Sequence, residues 1–310
     1  MSTRQNDVSA SKTAGPDFVC IGMQKAGTGW LYDQLSHHPQ FWMPPLKEIH
    51  YLDREEPNFG TAYKFRRRSE KRKRGKHRGP PRRRDLEQRD LDFIAALEAL
   101  RGTPRNLADY AAIFRFKNGQ IAGDVTPGYS GMPEDVIAEV GRRLPELRII
   151  QLVRDPVARL WSQLSMAARR HRFDPALVED PDAFRAYLYL AMQKQPEDRK
   201  LVDIAKVGFP ATVAQRWDRN APALRFQHFF FDDIVSRPHE LRREILAYLD
   251  ADPDIAAGPS PDENRKSKHP KLPLSPEIEA VLSDFFRDEL AACAKRFGGH
   301  AESWAERYRV

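Results

Sequence analysis

Three groups of residues in this 310-residue chain have the types and spacing for chemistry on an anion. The first is Gly22-Met23-Gln24-Lys25-Ala26-Gly27-Thr28, which follows the short apolar run Phe18-Val19-Cys20-Ile21 and precedes the helix-like Trp30-Leu31-Tyr32. Glycines let backbone N–H groups approach an anion closely, and a helix start adds partial positive charge. Gly22 and Gly27 have the spacing of the nucleotide-binding pattern G-x-x-x-x-G-K-[ST], but the lysine has moved inside the loop to Lys25. A tight β–α turn without a ligand explains glycines alone. The lysine and threonine in the same turn favour a phosphate cradle, though not that of an ordinary nucleoside triphosphatase.

The second group is Glu48 and His50, in Pro44-Pro45-Leu46-Lys47-Glu48-Ile49-His50-Tyr51-Leu52-Asp53. This stretch reads as a loop entering a strand, whose alternation puts Glu48 and His50 on one face. A carboxylate and an imidazole beside one cleft can each take a proton. Burial beside apolar residues would raise the carboxylate's pKa into a useful range. The plainer alternative pairs Glu48 with Lys47 or an arginine and packs His50 away. The third group is Arg154, at the end of the strand-like run 147–153, with Ser162 two turns into the following helix. There Asp155 suits an N-cap and Pro156 the first helical position.

The elements that must hold these groups alternate. Helices are expected over 86–100, 133–144, 182–193 and 210–219, from the residue after the strand 223–231 as far as 249, and over 277–297. Strands are expected at 18–21, 120–126 and 147–153. That order predicts an α/β fold, a P-loop-like central parallel sheet flanked by helices in a single domain, with ligands beyond the strands' carboxyl ends. Lys25 and Arg154 should then share one crevice. No internal repeat and no linker divides the chain.

Composition narrows the classes. Residues 1–16 are polar, lack a signal peptide's apolar core and read as a disordered tail. No apolar stretch is long enough to cross a membrane. Cys20 and Cys293 are too few for a disulfide framework or a metal cluster, so a reduced, cytoplasmic setting is expected and no metal. The net charge of +7 reports one segment. Thirteen of the 51 Lys and Arg lie between Lys64 and Arg84 beside a single acid, Glu70, leaving 38 bases against 43 acids elsewhere. Such a basic insertion, at about 64–84, repels itself. It reads as a solvated loop or as a means of recruiting an anionic acceptor, an acidic membrane or nucleic acid. Phe65 is its one aromatic residue, so a stacking platform for single-stranded nucleic acid is not expected.

Gly22-Met23-Gln24-Lys25-Ala26-Gly27-Thr28, Lys47-Glu48-Ile49-His50-Tyr51-Leu52-Asp53 and Leu152-Val153-Arg154-Asp155-Pro156 with Arg159 and Ser162 together resemble the sulfotransferases that use 3′-phosphoadenosine 5′-phosphosulfate (PAPS). The heparan sulfate group is the nearest likeness. Phe230-Phe231-Asp232-Asp233-Ile234 and Arg265-Lys266-Ser267-Lys268-His269-Pro270 add weaker support, and the likeness spans about residues 17–305. It implies that Lys25, Ala26, Gly27, Thr28, Gly29 and Trp30 hold the 5′-phosphosulfate, and that Arg154 and Ser162 hold the 3′-phosphate. Arg265, Lys266, Ser267 and Lys268 would close over the nucleotide. Glu48 would be the general base toward an acceptor hydroxyl or amine, with Lys25 stabilising the leaving phosphate and His50 orienting acceptor or carboxylate.

Val125 stands where heparan-type members carry a lysine, and the anchor and C-terminal disulfide of secreted-pathway members have no counterpart. An intracellular acceptor, soluble or lipid-linked, fits better than heparan; a carbohydrate or glycolipid is one such acceptor. Two rivals stand beside this reading. A P-loop kinase would take Asp124 as its metal-binding acid but needs a lysine next to Thr28. A non-enzymatic polyanion binder would use the basic run and leave Lys25 and Arg154 without a task.

Overall fold

In the computed structural model, the described residues are 15–55, 57, 59, 86–194, 203, 204, 208–256, 258–263 and 271–310. The basic run 64–84, the Arg265–Lys268 loop and residues 1–14 of the expected tail lie outside them. Four strands, β1 (Phe18–Gly22), β2 (Gly123–Val125), β3 (Arg148–Val153) and β4 (Arg225–Phe230), form one sheet in the order β2-β1-β3-β4. All pairs are parallel. Such a sheet is covered on both faces, which explains why β1 is buried throughout and β3 in all but its first residue.

Register brings the chemistry together. Cys20 stands opposite Val125 and Ile150, and Val153 opposite Phe230. The loops after Gly22, Val125, Val153 and Phe230 therefore leave the same sheet edge. From β1 the chain crosses to β2 on one side and later to β3 on the other, so β1 borders the switch point where open α/β sheets bind ligands.

Ten of the helices are α1 (Thr28–Ser36), α2 (Gln88–Ala99), α3 (Leu107–Ala112), α4 (Glu134–Arg143), α5 (Pro156–Ala168), α6 (Pro181–Met192), α7 (Pro210–Asn220), α8 (Phe231–Ser236), α9 (Pro238–Tyr248) and α10 (Pro276–Phe285). Then come α11 (Arg287–Phe297) and α12 (His300–Tyr308). Two buried clusters flank the sheet. One joins β1 to α1, α2 and α4, and the other packs α5 and α6 against α10, α11 and α12. Among the described residues no helix is long and apolar enough to cross a membrane.

Three expectations need correction. The stretch 48–53 is not a strand: Glu48 (φ 63°) and His50 (φ 56°) are left-handed, and only the Glu48 N–H reaches the sheet, donating to the Val125 carbonyl at 3.2 Å. The helix expected up to 249 is two helices, because Pro238 has no N–H to continue the ladder and starts α9. The helix expected over 277–297 breaks at Phe286, fully buried, which caps both α10 and α11. Sequence periodicity also missed α3 and α12.

Candidate active site

The loop after β1 turns into α1 through Gly27, whose φ of 95° no L side chain adopts easily. A Cβ there would meet Ile234 Cδ1 at 2.2 Å. No side chain caps α1, so the N–H groups of its first turn point toward whatever lies beyond. A Cβ built on Gly29, by contrast, meets nothing within 4 Å. The first turn of α1 thus presents bare backbone to open space, as an anion site requires.

Lys25 projects from this loop, more than half buried. Burial lowers its pKa, and Arg169, Arg154, Arg170 and Lys271 lower it further. Cations crowded around a half-desolvated ammonium are favourable only when an anion joins them. Arg154 is held from both sides. Its Nη1 donates to the Lys25 carbonyl at 2.8 Å and its guanidinium lies 4.3 Å from the Phe231 ring centroid. Burial lowers its pKa too, against the nearby Asp155 and Asp232.

The turn carrying Arg154 is fixed by Asp155. One carboxylate oxygen caps α5, accepting from the N–H groups of Val157 (2.8 Å) and Ala158 (3.3 Å), and the other accepts from the Tyr308 hydroxyl at 2.8 Å. The last helix, which sequence periodicity missed, therefore buttresses the Arg154 turn. Arg159 is fully buried and pushed down to about 9 by burial and by Arg154. It donates to Gln163 Oε1 at 2.7 Å and reaches the Gln24 carbonyl at 3.5 Å.

Across the cleft, Lys47 Nζ donates to Glu48 Oε1 at 3.0 Å and to Thr28 Oγ1 at 3.3 Å. Glu48 Oε2 lies 3.9 Å from His50 Nε2, and His50 Nδ1 lies 2.9 Å from Asp53 Oδ2. Glu48 and His50 do meet, through two left-handed residues rather than strand alternation. The Glu48 side chain is 41% exposed, against 7% for His50. The expected burial of the carboxylate is absent; it is the imidazole that is buried. The expected Lys47–Glu48 pair is also present, and it adds a second cation beside Thr28.

Asp124 is fully buried, accepting from the hydroxyls of Thr126 (2.6 Å), Tyr129 (2.6 Å) and Tyr110 (3.2 Å). Burial nonetheless raises its pKa. It does not line the cleft, which removes the acid that the kinase reading needs. Among the described residues no group of three His, Cys, Asp or Glu side chains could hold a metal ion.

These groups face a cleft of about 800 Å³. Of the residues expected at the site, Lys25, Gly27, Thr28, Gly29, Trp30, Glu48, Arg154 and Ser162 line it; Ala26 is buried behind and His50 stands behind Glu48. Glu263 and Lys271 line it as well, while Trp30 Nε1 donates to the Pro261 carbonyl at 2.9 Å. Sequence reasoning missed Lys271, Arg169 and Arg170 as cleft residues. The adjacent arginines, seven and eight positions after Ser162, were the signal available for the last two.

The model of the sulfotransferase family matches residues 16–254. No curated protein matches the sequence. Among solved structures, a sulfotransferase from Alicyclobacillus acidocaldarius is similar at a TM-score of 0.59 and 19% identity, covering 94% of this chain and 99% of that one. The sulfotransferase domain of the Synechococcus PCC 7002 olefin synthase matches at 0.42 and 14% identity, over 96% of this chain and 97% of its own. At these identities the first likeness is one of fold, and the second is too loose to carry an argument.

Proposed function

The chain belongs to the sulfotransferase family, and from that premise we propose that it transfers a sulfuryl group from PAPS to a hydroxyl or amine of an acceptor, with Glu48 as general base. The observation that carries this reading is the convergence of the uncapped α1 start, Lys25, Arg154 and Glu48 on one cleft. Two features fit the donor. Gly29 leaves room for a phosphate against backbone, and Lys25 stands among cations whose mutual repulsion a bound anion would relieve. When bound, PAPS supplies an activated sulfuryl group on a phosphate leaving group.

Lys25 and the first turn of α1 would hold negative charge on that phosphate, with Thr28 donating its hydroxyl. Arg154 and Ser162 would hold the 3′-phosphate, since a guanidinium fork suits a dianion. Glu48 takes the acceptor's proton, because its carboxylate reaches the cleft and that of Asp124 does not. His50, fixed by Asp53, orients Glu48 from behind, and Lys47 ties Glu48 to Thr28. In place of the lysine that Val125 lacks, Lys47 supplies a cation on this side. A carbohydrate or glycolipid in a cytoplasmic setting is the acceptor class we favour.

Glu48→Gln keeps the shape and removes the base. It should cost on the order of 10²–10⁴ in kcat while the Kd for adenosine 3′,5′-bisphosphate stays within about threefold. His50→Asn should lose much less turnover. A dead His50→Asn beside an active Glu48→Gln would move the base to the histidine.

A further inference from the structure

The turn that follows β2 lines the cleft only through Pro127, yet it touches the loop of the proposed base along its length. That loop needs holding. Glu48 and His50 both have left-handed backbone, and such residues persist only where their surroundings fix them. At one end the Val125 carbonyl accepts the Glu48 N–H at 3.2 Å. Past His50, the Tyr51 N–H donates to the Tyr129 hydroxyl at 3.2 Å, and that hydroxyl donates to Asp124 at 2.6 Å. Burial and the Asp124 charge hold Tyr129 in its neutral form, able to accept on one side while it donates on the other. Tyr51, Tyr129 and Asp124 are all buried, so water does not compete for these bonds.

Between the two ties sits Gly128, in the tight turn Pro127–Gly131. Its φ is not in the left-handed region, so the backbone itself does not call for glycine. A Cβ there would meet Asp53 Oδ2 at 2.5 Å, His50 Cε1 at 2.8 Å and His50 Nδ1 at 3.0 Å. Those three nearest atoms all belong to the His50–Asp53 pair, in which Nδ1 lies 2.9 Å from Oδ2. The missing side chain is the space in which imidazole and carboxylate meet. With the ring fixed there, His50 Nε2 stands 3.9 Å from Glu48 Oε2. On its other side the turn packs against the donor loop, where a Cβ on Gly22 would lie 3.1 Å from the Pro127 carbonyl.

Resting on Glu48 as the general base, we propose that Gly128 and Tyr129 are positioning residues for it. Gly128 leaves room for His50 and Asp53 to pair, Tyr129 anchors the backbone that follows His50 to the buried Asp124, and together they set where the Glu48 carboxylate stands in the cleft.

The test uses the whole protein and its Gly128→Ala, Tyr129→Phe, His50→Asn and Gly128→Ala/His50→Asn variants. Adenosine 3′,5′-bisphosphate is titrated into each, and its Kd should stay within about threefold of wild type, since the nearest neighbours of Gly128 are on the base side. In protein labelled with ¹⁵N-histidine, the Nδ1 proton held by Asp53 should give a downfield resonance, assigned by its loss in His50→Asn. Gly128→Ala should abolish that resonance. Turnover of radiolabelled PAPS offered with a mixed pool of alcohols, sugars and amines should fall about tenfold in Gly128→Ala, a modest loss for a misplaced catalytic group. Adding Gly128→Ala to His50→Asn should change turnover less than about twofold, because residues that act through one another are not additive. A merely structural effect would appear in both backgrounds. Tyr129→Phe should speed exchange of the Tyr51 amide and lower turnover with bisphosphate affinity kept. The proposal is overturned if Gly128→Ala keeps the resonance or full turnover, if it loses bisphosphate affinity tenfold or more, or if its effect is undiminished beside His50→Asn. Full turnover in Glu48→Gln would instead sink the base assignment, while the resonance still reports whether Gly128 holds the pair.

Discussion

Replacing Arg154 with alanine separates the two phosphates of the proposed donor. The side chain has one visible structural duty, the 2.8 Å bond to the Lys25 carbonyl, and it is steadied by the Phe231 ring at 4.3 Å. Loss of that tie loosens the Lys25 loop and weakens every nucleotide that uses it, with or without a 3′-phosphate. The donors of Arg154 that remain are the ones a 3′-phosphate can take up, and a hydrogen bond to a charged group contributes about 1.5–3 kcal/mol. The informative quantity is therefore a ratio. The preference for adenosine 3′,5′-bisphosphate over adenosine 5′-phosphate should fall by about 10- to 150-fold, since 1.4 kcal/mol is tenfold. Isothermal titration of both nucleotides at one fixed salt concentration reads it, because screening changes phosphate contacts. Ser162→Ala should lower the same ratio by a smaller step, about 0.5–1.5 kcal/mol. Equal losses for the two nucleotides in Arg154→Ala would refute the assignment, leaving Arg154 as a brace for the Lys25 loop alone.

The two glycines of the first loop should behave oppositely. Gly27→Ala drives a Cβ into Ile234 at an unfavourable φ and should cost at least about 1–3 kcal/mol in chemical denaturation, whereas Gly29→Ala should keep the fold and weaken bisphosphate binding. A destabilised Gly29→Ala with intact binding would show that its open face is not a ligand face. For Lys25, burial and four cations hold the free-state pKa below the usual 10.5, and a bound dianion favours the charged form. Binding of bisphosphate should therefore take up protons between the depressed pKa and the higher one in the complex, and affinity should fall as pH rises through that window. Calorimetry in two buffers of different ionisation enthalpy checks the sign, and proton release would contradict it. Tyr308→Phe removes a bond to the buried Asp155 carboxylate and should destabilise the protein by about 1.5–3 kcal/mol while weakening bisphosphate binding through the Arg154 turn. Unchanged stability would mean that the last helix does not hold that turn.

Much of the site was legible because its signals are local. A strand followed by a glycine loop with Lys25 and Thr28 is a contiguous pattern, as is the strand that ends in Arg154 with Asp155 capping α5. Alternating strands and helices then implied a parallel sheet, and a parallel sheet brings the ends of β1 and β3 to one edge. Periodicity failed where the backbone departs from any period. Glu48 and His50 were expected side by side on a strand, and they do approach each other, but through left-handed residues that no alternation encodes. The break at Phe286 was equally hidden, since an apolar residue at helical spacing continues a pattern whether or not the axis does.

What the sequence determined by itself is the set of chemical groups and the strand–loop–helix units that carry them, because turn chemistry and helix capping depend on neighbours along the chain. What only the tertiary structure decided is which groups face the cleft and which support it. Glu48 is half in solvent and His50 behind it; Asp124, a plausible metal ligand in sequence, is sealed under three hydroxyls; Tyr308 reaches across 153 positions to brace the turn at Asp155. Exposure and long-range partners follow from how helices stack on the sheet, and that packing is summed over the whole core rather than written in any one stretch.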